Sequence, residues 1–394
     1  MNPSAAGWII KYGRDLDAGK FQVLPPDQLY SILLRSGFIY GTSVTTVVDS
    51  SPTLSYSEEE ITKINLFTAL ASIYYDTIEN SSFQNFIDTL NEFYELINVR
   101  KSTFSFLKNW SGKPSEKLES IIHNRIQTTE SPLKKNFSHL VTNALLFIDV
   151  LAFDHFLMNE EHPIQFASDL ENLVSKTVLL ALESKMQKNH SDELLIYLFA
   201  NSVRYTTTSS NQKVLLKDLN LNLLQETFEK QYILDLVSLA LWTDTYLDPR
   251  EDAFVTTLGK KLQVPHTWVK ECVAHVDQFI TKHKNQIAYF NYSNPAHHFY
   301  KHSLRTVRIL ILRNKKRLLT EITESKDLVI LLKQSTLRDL SEEERKKVRQ
   351  QLLDICKSIP SFAIFIMPGG SLLLPVLIKF IPKLLPSAFN ENTH

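Results

Sequence analysis

The sequence predicts an all-α protein, organised as several helical bundles and closed by a proline-kinked apolar segment. Three observations carry this. Only 9 glycines occur in 394 residues, against an ordinary usage of about 7%. Short alternating apolar runs of the kind that form strands are few. Several stretches carry a helix start signal followed by apolar residues at helical spacing.

The first 135 residues read as amphipathic helices. Within them Ser57-Glu58-Glu59-Glu60 forms a capping box, and Ile61, Ile64, Leu70, Ala71 and Tyr74 follow on one face, which predicts a helix over about 58–78. Polar or proline-containing stretches, NWSGKPSEK (109–117), TTESPLKK (128–135), TTTSSNQK (206–213) and YSNPAHH (292–298), mark connections. They suggest three parts: 1–135, 136–290 and 291–394. In the middle part, 145–163 resembles 234–252, pairing Asp154 with Asp244, Leu157 with Leu247 and Glu161 with Glu251. That likeness predicts two similar helical hairpins packed together.

The second hairpin, LALWTDTYLDPREDAFVTTLGKKLQVP (239–265), has an apolar helix ending near Asp244, a turn and a new helix. It resembles the tellurite-resistance TerB-like family, small helical bundles whose hairpin carries the acids matched here by Asp244, Asp248 and Glu251. The resemblance spans about 140–285 and implies a divalent cation held by those carboxylates, a hard-cation, oxygen-ligand arrangement. A structural explanation stands beside it. Asp248 suits a helix N-cap, Pro249 the first helical position and Glu251 the return arm of a capping box.

His298 and His302 are four apart, a spacing able to share a zinc ion. No acid follows the first histidine and no third ligand is identifiable, so a surface or packing role is expected. No GxGxxG, Walker-type GKS/T or GxSxG element occurs, and the chain reads as non-enzymatic. Lys+Arg and Asp+Glu both total 43, so charge does not point to nucleic acid. Cys272 and Cys356 lack CxxC spacing and suggest neither a disulfide framework nor a zinc site. The start, MNPSAAGWIIKYGRD, lacks a signal-peptide apolar run, which places most of the chain in the cytoplasm.

Toward the C-terminal end, Ser341-Glu342-Glu343-Glu344 caps a helix whose Val348, Leu352 and Ile355 line one face, with Arg345, Lys346, Lys347 and Arg349 turned outward. After Lys357 come 21 uncharged residues, 358–378, of which 13 are apolar. About 20 such residues span a bilayer. Pro360, Pro368 and Pro375 interrupt the run, and Gly369-Gly370 lies at its centre. Prolines break helices in water, yet are tolerated in membranes when neighbours restore the lost hydrogen bonds. The composition fits equally a membrane segment over 359–378 and two buried half-helices.

LLPVLIKFIPKLLPSAF (373–389) resembles the LETM family, the mitochondrial inner-membrane leucine-zipper/EF-hand proteins and their bacterial relatives. Leu374, Pro375, Lys379, Pro382, Leu385, Pro386, Ser387 and Phe389 fall on its pattern, and IPSFAIFIMP, ending at Pro368, matches the apolar stretch that is the family's transmembrane helix. The likeness covers about 300–394. It implies membrane association and, for mitochondrial members, cation/proton exchange and ribosome contact. Where the family commonly has an acid between the two central prolines, this chain has Gly369-Gly370-Ser371-Leu372. Mitochondrial members also carry the ribosome contact in a domain beyond this segment, whereas the sequence runs to His394. Those two departures place exchange and ribosome contact behind membrane association among what the resemblance implies.

The combination with a TerB-like middle looks like the LETM-related, biofilm-associated bacterial branch. The leading expectation is an interaction or scaffold module at the cytoplasmic face of a bacterial inner membrane, with the lipid bilayer as partner. Arg313, Lys315, Lys316, Arg317, Arg345, Lys346 and Lys347 precede the segment, as the positive-inside tendency requires. Two alternatives are cation/proton exchange by a homo-oligomer and a soluble cation-binding scaffold located in the cytoplasm.

Overall fold

A computed structural model describes residues 1–48, 56–98, 111–126, 141–158, 162–186, 215–242, 248–284, 286–287, 311–338 and 340–359. Within them the protein is all-α: two short 3-10 turns accompany the α-helices, and no strand occurs among the described residues.

The N-terminal helices are α1 (Trp8–Asp17), α2 (Pro26–Ser36), α3 (Glu58–Thr77), α4 (Phe83–Asn98) and α5 (Pro114–Ile126). They are followed by α6 (Phe147–Leu157), α7 (Pro163–Ser184), α8 (Thr227–Leu241), α9 (Pro249–Lys261) and α10 (His266–His283). Three further helices, α11 (Lys315–Glu324), α12 (Lys326–Leu337) and α13 (Glu342–Ser358), close the described chain.

The expected helix after Ser57 is α3, and both arms of its capping box form: Ser57 Oγ accepts from the Glu60 amide at 3.3 Å, and the Glu60 carboxylate accepts from the Ser57 amide at 2.8 Å. Its environment differs from the one-faced amphipathic helix expected. Every residue from Glu60 to Tyr74 is buried, so α3 is a central helix, packed by α2, α5 and α6. Its polar side chains find specific partners, as burial requires. Asn65 accepts from the Val47 amide at 2.9 Å and donates to the Thr45 carbonyl at 3.0 Å. Lys63 pairs with Glu59 at 2.8 Å.

Two other helix ends depend on distant residues. Gly7 precedes α1 at φ 82°, and no side chain of its own segment caps that helix. The Glu119 carboxylate of α5 does so instead, accepting from the Gly7 and Ile9 amides at 3.0 Å each. At the end of α2, Gly37 at φ 82° lets the Phe38 amide return to the Leu33 carbonyl at 3.1 Å. A Cβ at position 37 would collide with the Thr42 carbonyl and the Phe279 ring, so only glycine allows this turn to sit on α10.

One continuous core runs from Met1 to Ile287. It includes buried residues on both sides of the expected division near 135, and that division falls within 127–140, outside the described residues. Across it, Arg125 of α5 donates to Asp149 of α6, Nε to Oδ2 at 2.7 Å and Nη2 to Oδ1. Tyr94 of α4 donates to the same carboxylate at 3.3 Å.

The two hairpins of the middle part are built alike. Helices α6 and α8 each lead through a short connection into a helix opened by proline, Pro163 in α7 and Pro249 in α9. Superposing those prolines pairs Asp149 with Asp235. The expected register, Asp154 with Asp244, is not the one set by the helix starts. Both Asp149 and Asp235 are fully buried, and each accepts a hydrogen bond from a tyrosine of an N-terminal helix.

Candidate functional site

Of the predicted acidic triad, Asp244 lies outside the described residues, and the other two acids form a helix cap. Asp248 Oδ1 accepts from the Arg250 amide at 2.7 Å and from the Glu251 amide at 3.0 Å, while Glu251 Oε2 accepts from the Asp248 amide at 2.8 Å. The amide of Met186, just past α7, approaches Asp248 Oδ2 at 3.4 Å. These backbone donors, the Glu251 amide foremost, hold the Asp248 carboxyl below its ordinary range. Glu251 is buried with its carboxylate turned back on the cap. The geometry thus directs both carboxylates at the start of α9, the structural role that proline and acid spacing foretold.

Among the described residues no group of three His, Cys, Asp or Glu side chains is placed to hold a metal ion. Asp248→Ala is expected to lower the thermal midpoint through loss of the N-cap, equally in calcium, magnesium or chelator. A thermal midpoint that rises with either cation in the native chain but not in Asp248→Ala would establish the metal site instead. His298 and His302, and all eight LETM-pattern positions named above, fall outside the described residues.

The C-terminal helices that lead to the closing segment are α11, α12 and α13. The predicted cap of α13 forms, with Ser341 Oγ accepting from the Glu344 amide at 3.2 Å and Glu344 accepting from the Ser341 amide at 2.8 Å. Val348, Leu352 and Ile355 are buried as expected, and Arg345, Lys346, Lys347 and Arg349 are exposed. Glu344 also receives both guanidinium arms of Arg338, at 2.8 and 2.6 Å. That guanidinium holds the Glu344 carboxyl down at about 2. Leu318, Ile322, Leu328, Leu332, Val348 and Leu352 are buried where α11, α12 and α13 pack together.

Two arginines at the start of this unit do different work. Arg313 is not part of a surface charge: its guanidinium grips fully buried Glu60 of α3, Nη1 to Oε1 at 2.7 Å and Nη2 to Oε2 at 2.6 Å. It also donates to Asn2 at 3.0 Å and lies 5.6 Å from the centroid of the Tyr56 ring. The carboxylate therefore serves twice, as the capping arm of α3 and as the tie to the C-terminal unit. Arg317 donates to the Ser358 carbonyl at 2.5 Å, closing the end of α13 where the apolar run begins. Lys315, Lys316 and Arg317 are all exposed there. Ile359, the first apolar residue of the run, is 1% exposed. Among the described residues no helix is long and apolar enough to cross a membrane, and 360–378 falls outside them.

This helical unit ends in a recognisable segment. A family model described as LETM1-like, RBD matches residues 340–394, taking in α13 and the whole closing segment. The C-terminal segment is LETM1-like, as its proline pattern indicated. The match does not reach 140–285, where the TerB-like resemblance lies. No curated protein and no solved structure matches the chain.

Sequence reasoning missed Arg313 as a half-buried tie, Glu60 as its partner and the Asp149–Arg125 pair. Each joins residues far apart in the chain, and no local spacing marks them.

Proposed function

We propose that the protein is a non-enzymatic, membrane-associated helical scaffold, tethered by its LETM1-like segment with the N-terminal helices as its interaction module. The observation that carries this reading is the contact between Arg317 and the Ser358 carbonyl. It sets the exposed cations Lys315, Lys316 and Arg317 at the point where the apolar run departs. Cations flanking an apolar segment on one side suit the headgroup layer of an anionic leaflet, at about 1 kcal/mol per basic residue near the surface. The family match supports membrane association of the same segment. The bacterial inner membrane, with the bulk of the chain on its cytoplasmic side, is the setting that this reading takes.

Membrane fractionation with a carbonate wash tests it, comparing the full chain with a truncation ending at Lys357. The full chain is expected to stay with the membranes and the truncation to wash free. Recovery of both in the soluble fraction would overturn the tether and make 359–378 a core element. Ion flux by reconstituted full chain above that of empty vesicles would show exchange instead of scaffolding.

A further inference from the structure

The core contains one carboxyl group whose surroundings the scaffold reading leaves unexplained. Asp235, in the middle of α8, is 0% exposed. Its Oδ2 accepts from the Tyr30 hydroxyl of α2 at 2.7 Å, and its Oδ1 has no hydrogen-bond partner. The turn after α2 brings Tyr40 to the same place, its hydroxyl also without a partner. From α10, Cys272 lies buried beside the carboxyl. Other ionisable groups belong to the surrounding elements. Lys185, just past α7, extends to the Ala240 carbonyl at 3.5 Å, and Glu251 of α9 closes its own cap. Glu171 of α7 is a further buried acid, and His283 of α10 packs against Phe279, the ring that touches Tyr40.

No cation acts on Asp235 among the described residues. Asp149, its counterpart in the other hairpin, is neutralised by the two-pronged grip of Arg125. An ionised carboxylate buried without a countercharge is strongly disfavoured, and the group neutralises by keeping its proton.

We propose that Asp235 is a proton switch: the packed core carries it protonated, and loss of that proton loosens the seam where α2 and its following turn sit on α8 and α10. Burial pushes the carboxyl up to about 7, with the Tyr30 hydroxyl and then the Cys272 thiol pulling the other way. The unfolded chain ionises the same group near 3.9. The native state therefore binds more protons in between, and the contribution of Asp235 to stability is greatest in acid and declines as pH rises toward neutrality.

The test is a pH titration of the full chain labelled with ¹³C at the aspartate carboxyl, with amide exchange followed at about pH 6 and about pH 8 and corrected for intrinsic rate. One carboxyl signal is expected to titrate near neutrality, to move upward in Tyr30→Phe and to vanish in Asp235→Asn. Protection of residues 29–44 and of α10 is expected to fall by up to about tenfold between the two pH values in the native chain, and to change little in Asp235→Asn. Titration of every aspartate in the ordinary acidic range, or an equal loss of protection in Asp235→Asn, would overturn the proposal. Should Asp235→Asn fail to fold, the upward shift in Tyr30→Phe still decides, because removing the donor disfavours the charged form; a near-neutral signal that does not move would count against it.

Discussion

Asp149→Ala is expected to lower the unfolding free energy by about 3–5 kcal/mol, a large share of the ~5–15 kcal/mol that holds a typical domain together. The reason is the charge left behind. Arg125 is nearly as buried as its partner, at 7% exposure, and loses both arms of its pairing while Tyr94 loses an acceptor. Denaturant unfolding at constant pH measures this. The double replacement Arg125→Met with Asp149→Leu should recover much of the loss, because two apolar side chains of similar volume leave no stranded charge. A single substitution costing less than about 1 kcal/mol would mean that water or another group reaches the arginine.

Arg313→Ala is expected to act where the C-terminal helices meet α3. Glu60 retains its bonds from Ser4 and from the Ser57 amide, so the α3 cap persists, but the buried carboxylate loses its countercharge. Truncating one partner of such a pair typically costs about 2–5 kcal/mol. The loss should be local. Amide exchange is expected to accelerate in α11–α13 and around Asn2, and to remain slow in α7, α8 and α10. Uniform acceleration would show that the C-terminal unit and the main core unfold together, and unchanged exchange would show that the Arg313–Glu60 pair carries no net docking energy.

What could be read in advance was whatever lies within one helical turn. Ser57 with Glu60, Asp248 with Glu251 and Ser341 with Glu344 announce their helices because a cap is a contact between residues three apart, and all three form. The outward turn of Arg345, Lys346, Lys347 and Arg349 around buried Val348 follows from the 3.6-residue period for the same reason. Helix α3 shows the limit. Its sequence alternates Thr62, Asn65, Thr68 and Ser72 with apolar residues, which reads as a half-exposed helix until neighbours cover every side. The partners of Asn65, Glu60 and Asp149 come from other elements of the chain, and periodicity carries no information about them. Of the candidate site, the segment's family was legible from proline and leucine spacing. The arginine that places cations beside it was legible only as charge.

The dependence of α1 on Glu119 bears on how the chain is made. Synthesis delivers Trp8–Asp17 ahead of α5, and the carboxylate that completes this helix emerges only after about a hundred further residues have been added. Until α5 arrives, the amides at the start of α1 have water as their partner and Trp8, Ile9 and Tyr12 have an incomplete core to enter. An isolated helix of 10 residues is too short to persist on its own. Helix α1 is thus made well before it can settle, and its apolar side chains are what a chaperone would meet on the nascent chain.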